Sequence, residues 1–150
     1  NLVAAVNLTS ENELHQSLNK KLLAEAQSFA EILNANVHLV NSYPGAPVNI
    51  SIEVPEFDPV SYSENIKKHH IDAMNQLTSS LSANDKNTHV LEGLPEDVLP
   101  RVADELDAEL VIIGTIGRTG LSAAFIGNTA EHVIDNLNCD VLAIKPDSFS

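Results

Sequence analysis

The glycines near the C-terminal end of the sequence are spaced in a way that suits the binding of a phosphate group. An apolar, β-branched run at residues 110–113 is followed by Gly114 and Gly117, and Gly127 comes directly before Asn128. Such a run is typical of a buried parallel strand, and glycines let a backbone approach a ligand closely. Small polar residues at the start of a helix leave N–H groups that bind anions. The pattern therefore predicts a strand, a glycine loop and a helix N-terminus that together hold a phosphate.

This spacing differs from the two common nucleotide-binding motifs. The P-loop pattern GxxxxGK[ST] is absent, which argues against a P-loop NTPase. Gly114, Gly117 and Gly120 form GxxGxxG and not GxGxxG, and they follow a late strand. A dinucleotide-binding motif follows the first strand, so it is disfavoured here. A tight turn without a ligand is the alternative interpretation of these glycines.

Two other groups of side chains could carry chemistry, and both favour a structural role. His69 and Asp72 lie one helical turn apart, but they supply two metal ligands without a third. Ser122 lies in no nucleophile elbow, and no base is placed for it. The sequence therefore predicts a binding protein and not an enzyme with an arranged catalytic site.

The rest of the chain predicts the elements that position the glycine loop. Strands are expected at 2–6, 37–42, 88–92, 110–113 and 139–144, with helices at about 10–33, at 63–82, from 95, and from 128 to about 137. Five strands joined by crossover helices imply an α/β fold with a mostly parallel, doubly wound sheet. Ligands bind at the carboxyl ends of such strands. Asn7, Val40 and the glycine loop are expected to meet at that edge.

The connection from Tyr43 to Pro59 is long and rich in proline. It holds four prolines and one glycine, with Val48, Ile50 and Ile52 alternating between them. A connection of this length inside a compact domain suggests a lid, and the alternation suggests a short edge strand. A surface insertion without either role stays open.

Composition excludes several classes of partner. The 150 residues carry a formal net charge of −13, which is the wrong sign for a nucleic-acid or anionic-membrane surface. The longest apolar run is too short for a membrane span, and we expect no signal peptide because the charged-then-apolar pattern is not seen. Cys139 is the only cysteine, which favours a cytoplasmic location. The chain begins without Met inside a strand pattern, so we expect it to be part of a longer protein.

The spacing Gly114-x2-Gly117-x9-Gly127, followed by a small polar residue, resembles the ATP-binding motif of the universal stress protein family. The similarity covers the whole chain and extends to the segments 129–134 and 141–146. It is closest to the tandem, E-type members, in which two domains share one chain, and this chain resembles the second. The resemblance implies a single domain over 1–150 with the adenine-nucleotide alpha-hydrolase-like, Rossmann-like sandwich, as half of a longer chain.

The resemblance also implies roles for individual residues. Adenine and ribose are expected at the end of the first strand and beside the second, and the phosphates at the glycine loop and the start of the following helix. Arg118 is a candidate phosphate contact or an exposed loop arginine. The implied nucleotide-binding residues are Val6, Asn7, Val40, Ile113, Gly114, Gly117, Arg118, Gly127, Asn128, Thr129 and Ala130.

Four positions depart from the family's ATP-binding pattern and leave fewer polar groups to bind a nucleotide. Asn7 stands where an Asp is usual and Asn128 where a Ser or Thr is usual, while Ile116 is apolar and Ala130 lacks a hydroxyl. We expect a stress-response regulatory domain that binds ATP or AMP, with or without Mg²⁺, and at most hydrolyses ATP weakly. The alternative is an interaction module whose cleft is empty or holds an apolar, lipid-like ligand. A second domain or a second copy is expected to pair through the strand from Val141 to Ile144.

Overall fold

A computed structural model gives the structure of residues 1–8, 13–43, 58–79, 87–114 and 128–145, without the side chains of 14, 15, 59 and 128–130. Strands and helices alternate along these residues, and all four strand pairings are parallel, in the order β3-β2-β1-β4-β5. The prediction of a doubly wound parallel sheet is therefore confirmed. The elements are β1 (Leu2–Ala5), α1 (Glu13–Leu33), β2 (Val37–Tyr43), α2 (Pro59–Leu77), β3 (Thr88–Glu92), α3 (Pro95–Glu105), β4 (Leu110–Gly114), α4 (Asn128–Asn136) and β5 (Asp140–Ile144).

Helices cover both faces of the sheet. Leu2 and Ala4 of β1 pack with Ile112 of β4 in a core that includes residues of α1 and α2. Val3 and Val111 point the other way, into a second core with residues of α3 and α4. Because β1 and β4 are buried on both sides, their sequences are continuously apolar and do not alternate.

Helix α2 begins earlier than the sequence prediction placed it. The carboxylate of Asp58 accepts hydrogen bonds from the backbone N–H of Val60 at 3.1 Å and from the hydroxyl of Ser61 at 2.7 Å. Pro59 is the first helical residue, a position where its missing N–H costs nothing. Assigning Pro59 to the proline-rich connection and starting the helix at Ser63 was wrong. Residues 44–57 of that connection lie outside the described part of the chain, so its lid role stays a prediction.

The turn between β3 and α3 depends on a glycine. Gly93 has φ of +137°, and a Cβ at this position would lie 2.8 Å from Cγ2 of the buried Val98. We expect Gly93→Ala to lower the free energy of unfolding by about 1 to 2 kcal/mol, because the backbone and the contact are both strained. Urea unfolding measures this change, and Leu94→Ala, at a half-exposed neighbouring position, should shift the midpoint little. Equal midpoints for the two variants would contradict the prediction.

Candidate functional site

The sheet has a topological switch point between β1 and β4. The chain runs outward from β1 through β2 to β3, then returns and runs outward on the other side through β4 to β5. Connections therefore leave the carboxyl ends of β1 and β4 in opposite directions, which opens a crevice where such sheets bind ligands. Ala4 pairs in register with Ile112, so Val6 comes level with Gly114 at this edge.

The predicted site residues before the glycine loop lie in or just after β1, β2 and β4. The backbone N–H of Val6 donates to the carbonyl of Val40 at 2.9 Å. The side chains of Val6, Val40 and Ile113 are buried, whereas that of Asn7 is exposed. Val40 lies within β2 and not at its end, because the strand continues to Tyr43.

The remaining predicted residues are described only in part. Asn128 begins helix α4, so the helix start that the sequence predicts after Gly127 is confirmed. The side chains of Asn128, Thr129 and Ala130 are not described. Gly117, Arg118 and Gly127 lie outside the described residues, and their roles stay predictions.

Gly114 has a packing role that the sequence did not indicate. A Cβ at this position would lie 2.5 Å from Cδ2 of Leu18, a buried side chain of α1. The glycine therefore lets α1 pack closely on the end of β4. This close packing brings the α1 turn that carries Asn19 next to the switch point.

Asn19 holds the backbone of Asn7 in place. Its Oδ1 accepts from the N–H of Asn7 at 3.1 Å, and its Nδ2 donates to the carbonyl of the same residue at 2.7 Å. The Asn19 side chain is 5% exposed, so these bonds face little competition from water. These hydrogen bonds use only main-chain atoms of Asn7, and the residue itself is exposed at the carboxyl end of β1.

A second buried amide supports the next residue. Asn41 accepts through Oδ1 from the N–H of Leu8 at 3.2 Å, and its Nδ2 lies 2.8 Å from Nδ1 of His70 on α2. The His70 ring stacks on Tyr43 with the ring centroids 5.2 Å apart. Burial is the main cause that lowers the pKa of His70, and His69 lowers it further. The segment after β1 is thus held by Asn19 of α1 and by Asn41 of β2, which in turn contacts His70 of α2.

Sequence reasoning missed Asn19, Asn41 and His70 as supports of the site. Each left a signal, because each is a polar residue in an otherwise apolar pattern. Asn19 interrupts the stripe of α1, and Asn41 follows an apolar strand run. His70 lies on α2 and is buried, and a buried histidine needs a hydrogen-bond partner.

Other histidines have structural partners. His38 and His89 meet across β2 and β3, with Nδ1 of His38 and Nε2 of His89 3.1 Å apart. His69 is exposed while His70 is buried, so the pair does not form a joint site. The described residues contain no group of three potential metal ligands. Among them, no helix is both long and apolar enough to cross a membrane.

Comparison with known proteins identifies relatives over the whole chain. The sequence pattern of the universal stress protein family matches residues 15–145. Universal stress protein E of Photorhabdus laumondii is 50% identical over 150 residues, which are 99% of this chain and 48% of that protein. The chain thus spans about half the length of this relative.

Solved structures share the fold. A Pseudomonas aeruginosa protein assigned to the same family superposes with a TM-score of 0.74 at 34% identity, covering 97% of this chain and 47% of that one. A universal stress protein in complex with cAMP has a TM-score of 0.55 at 18% identity, covering 97% of this chain and 98% of that one.

These findings agree with the parallel sheet and its strand order. The match of the family pattern spans from α1 to the residue after β5, and the fold is that of the solved members. The chain therefore belongs to the universal stress protein family.

Proposed function

We propose that this domain binds an adenine nucleotide, of the ATP or AMP type, in the crevice between β1 and β4, and that it acts as a stress-response regulatory domain. The observation that carries the proposal is the switch point itself, where Val6 comes level with the end of β4 and the exposed Asn7 follows directly. A family member with this fold has been crystallised with cAMP, which supports an adenine nucleotide as the ligand class.

The residues at the crevice suit such a ligand. The ends of β1 and β4 are apolar at Val6 and Ile113, which suits the base, and the amide of Asn7 suits hydrogen bonding to a ribose hydroxyl. The first turn of α4 offers backbone N–H groups for the phosphates, and Mg²⁺ would be carried by the phosphate oxygens. The described polar side chains here, of Asn7, Asn19 and Asn41, are amides that do not act as bases, which supports binding rather than catalysis.

Pairing through β5 is part of the proposal. Among the strands that the structure describes, β5 lies at one end of the sheet, where another strand can pair with it. A second domain of the longer protein or a second copy would cover it. Cys139 as the only cysteine supports a cytoplasmic location.

The alternative is an interaction module without a nucleotide. The buried side chains near this edge of the sheet are apolar: Val6 lies in the core on one face, and Val40 and Ile113 lie in the core on the other. An apolar ligand would contact apolar residues here and would not need the start of α4. Nucleotide titration separates the two proposals.

Titration with ATP·Mg²⁺, AMP and cAMP tests nucleotide binding. At 100 times the dissociation constant, binding adds about 2.7 kcal/mol of stability, which corresponds to a rise in melting temperature of roughly 5 to 10 °C. We expect Asn7→Asp to strengthen binding severalfold, because a carboxylate accepts a stronger hydrogen bond from a ribose hydroxyl. Asn7→Ala should weaken it.

Asn36→Ala is the matched control, because Asn36 is an exposed asparagine immediately before β2, at the amino ends of the strands. Its affinity should equal that of the unchanged protein. A melting temperature that stays constant with every nucleotide at millimolar concentration would refute the proposed function. Assay of phosphate release in the same samples reports any weak hydrolysis.

A further inference from the structure

A buried chain of polar groups links the segment after β1 to helix α2. The Asn41 side chain, 1% exposed, accepts from the N–H of Leu8 and contacts His70, whose side chain is 3% exposed. Leu8 directly follows Asn7, the residue proposed to bind ribose. A change at His70 therefore reaches the candidate site through two hydrogen bonds.

The donors and acceptors in this series of hydrogen bonds allow only one arrangement of protons. A backbone N–H can only donate, so the Asn41 atom that faces Leu8 must be the amide oxygen. The amide nitrogen then faces His70, and because an NH₂ group only donates, Nδ1 of His70 must accept. His70 is therefore neutral, with its proton on Nε2.

The surroundings of His70 stabilise the neutral ring. Its neighbours are the stacked ring of Tyr43 and the edge-on ring of His69, 5.8 Å away. Burial and the nearby Glu92 raise the pKa of Tyr43, so the phenol supplies no negative charge. Among the residues that the structure describes, no carboxylate pairs with the His70 ring.

Protonation of His70 would break this chain of bonds. A proton on Nδ1 would face the NH₂ group of Asn41. If the amide turned to accept that proton, its NH₂ group would face the N–H of Leu8 instead. In both orientations two buried donors face each other, and one of them loses its partner.

We propose that Asn41 and His70 are positioning residues of the candidate nucleotide site, and that the neutral His70 ring holds Leu8, and with it Asn7, in the binding position. This inference rests on the proposed function and adds that nucleotide binding is linked to the protonation of His70. Nucleotide affinity falls when His70 gains a proton, because the segment after β1 then loses one of its two supports.

The direction of the pH dependence follows from the lowered pKa of His70. The ordinary value is 6.5, and the folded chain binds the proton more weakly than the unfolded chain does. The stability that His70 contributes is therefore present above pH 6.5 and is lost as the pH falls through the folded-state pKa. Burial also lowers the pKa of His38 and His89, so global stability declines in the same direction. A local measurement is needed to isolate His70.

Nuclear magnetic resonance of the protein without nucleotide provides that measurement. Between pH 8 and pH 5 we expect the backbone amide of Leu8 to shift with the same midpoint as the His70 ring. His70→Gln should abolish this shift, because its side-chain oxygen can accept from Asn41 but does not titrate. His69→Gln, an exposed neighbour on the same helix, should keep it, with a slightly higher midpoint. A Leu8 amide that does not follow the His70 ring in the unchanged protein overturns the proposal without any variant.

Calorimetric titration with ATP·Mg²⁺ at pH 7.5, 6.5 and 5.5 tests the effect on the site. As the pH falls, the affinity of the unchanged protein and of His69→Gln should decrease more steeply than that of His70→Gln. The extra decrease is at most about tenfold per pH unit. Protonation of the nucleotide itself is common to the three proteins and cancels. Equal slopes overturn the proposal. If none of the proteins binds ATP at any pH, the proposed function fails, while the Leu8 shift still decides whether His70 controls this segment.

Discussion

Replacing Asn19 by alanine is expected to lower the free energy of unfolding by about 2 to 3 kcal/mol and to weaken nucleotide binding by about tenfold or more. The substitution removes both hydrogen bonds to the backbone of Asn7, at 3.1 and 2.7 Å. The N–H and the carbonyl of Asn7 then lose these two part-buried hydrogen bonds. Binding suffers as well, because the Asn7 side chain is no longer held at the crevice.

Two measurements separate the two effects of Asn19→Ala. Urea unfolding reports the loss of stability, and calorimetry with ATP·Mg²⁺ at a temperature where the variant is folded reports the affinity. Ser17→Ala, an exposed position two residues earlier on α1, is the matched control and should change neither. A stable variant with unchanged affinity would show that Asn19 does not position Asn7.

Replacing Gly114 by valine is expected to destabilise the protein by about 3 kcal/mol. The added Cβ would lie 2.5 Å from Cδ2 of Leu18 and 3.2 Å from its Cγ, and Leu18 is buried in the core. Helix α1 must then move away from β4, or Leu18 must leave its preferred conformation.

A double-mutant cycle tests this cause. Leu18→Ala removes the atoms that the new side chain would meet, at a cost of about 2 to 5 kcal/mol for the cavity. In that background Gly114→Val should cost much less than alone, with a coupling of about 1 kcal/mol or more. Additive effects would mean that Gly114 is required for another reason, such as close approach of a ligand, which nucleotide affinity of the folded variants would then reveal.

Most of the fold follows from local patterns in the sequence. The apolar runs at 2–6 and 110–113 predict strands buried on both faces, and the structure has β1 and β4 there within one residue. Asn34, directly after α1, has a φ of 52°, the left-handed conformation that asparagine tolerates at the end of a helix. The start of α2 was missed because Pro59 was grouped with the prolines before it, whereas Asp58 and Ser61 make it a helix start.

The candidate site was predictable only in its outline. A ligand at the edge of the sheet is predicted from the spacing of Gly114, Gly117 and Gly127 and from the alternation of strands and helices. This prediction is possible because strand ends and helix starts are local features. The contacts that hold Asn7 and Leu8 are not local. Asn41 lies 33 residues from Leu8 in sequence, and His70 lies 29 residues beyond Asn41.

The sequence by itself determined the alternation of strands and helices, the parallel sheet and the glycine spacing, since each depends on residues close together in the chain. Only the tertiary structure decided that Gly114 makes room for Leu18 and that Asn19, Asn41 and His70 support the segment after β1. The physical reason is that a buried amide or imidazole needs a partner, and folding alone brings that partner near. The segment after β1 is consequently held by side chains of α1, β2 and α2 that lie far from it in the sequence.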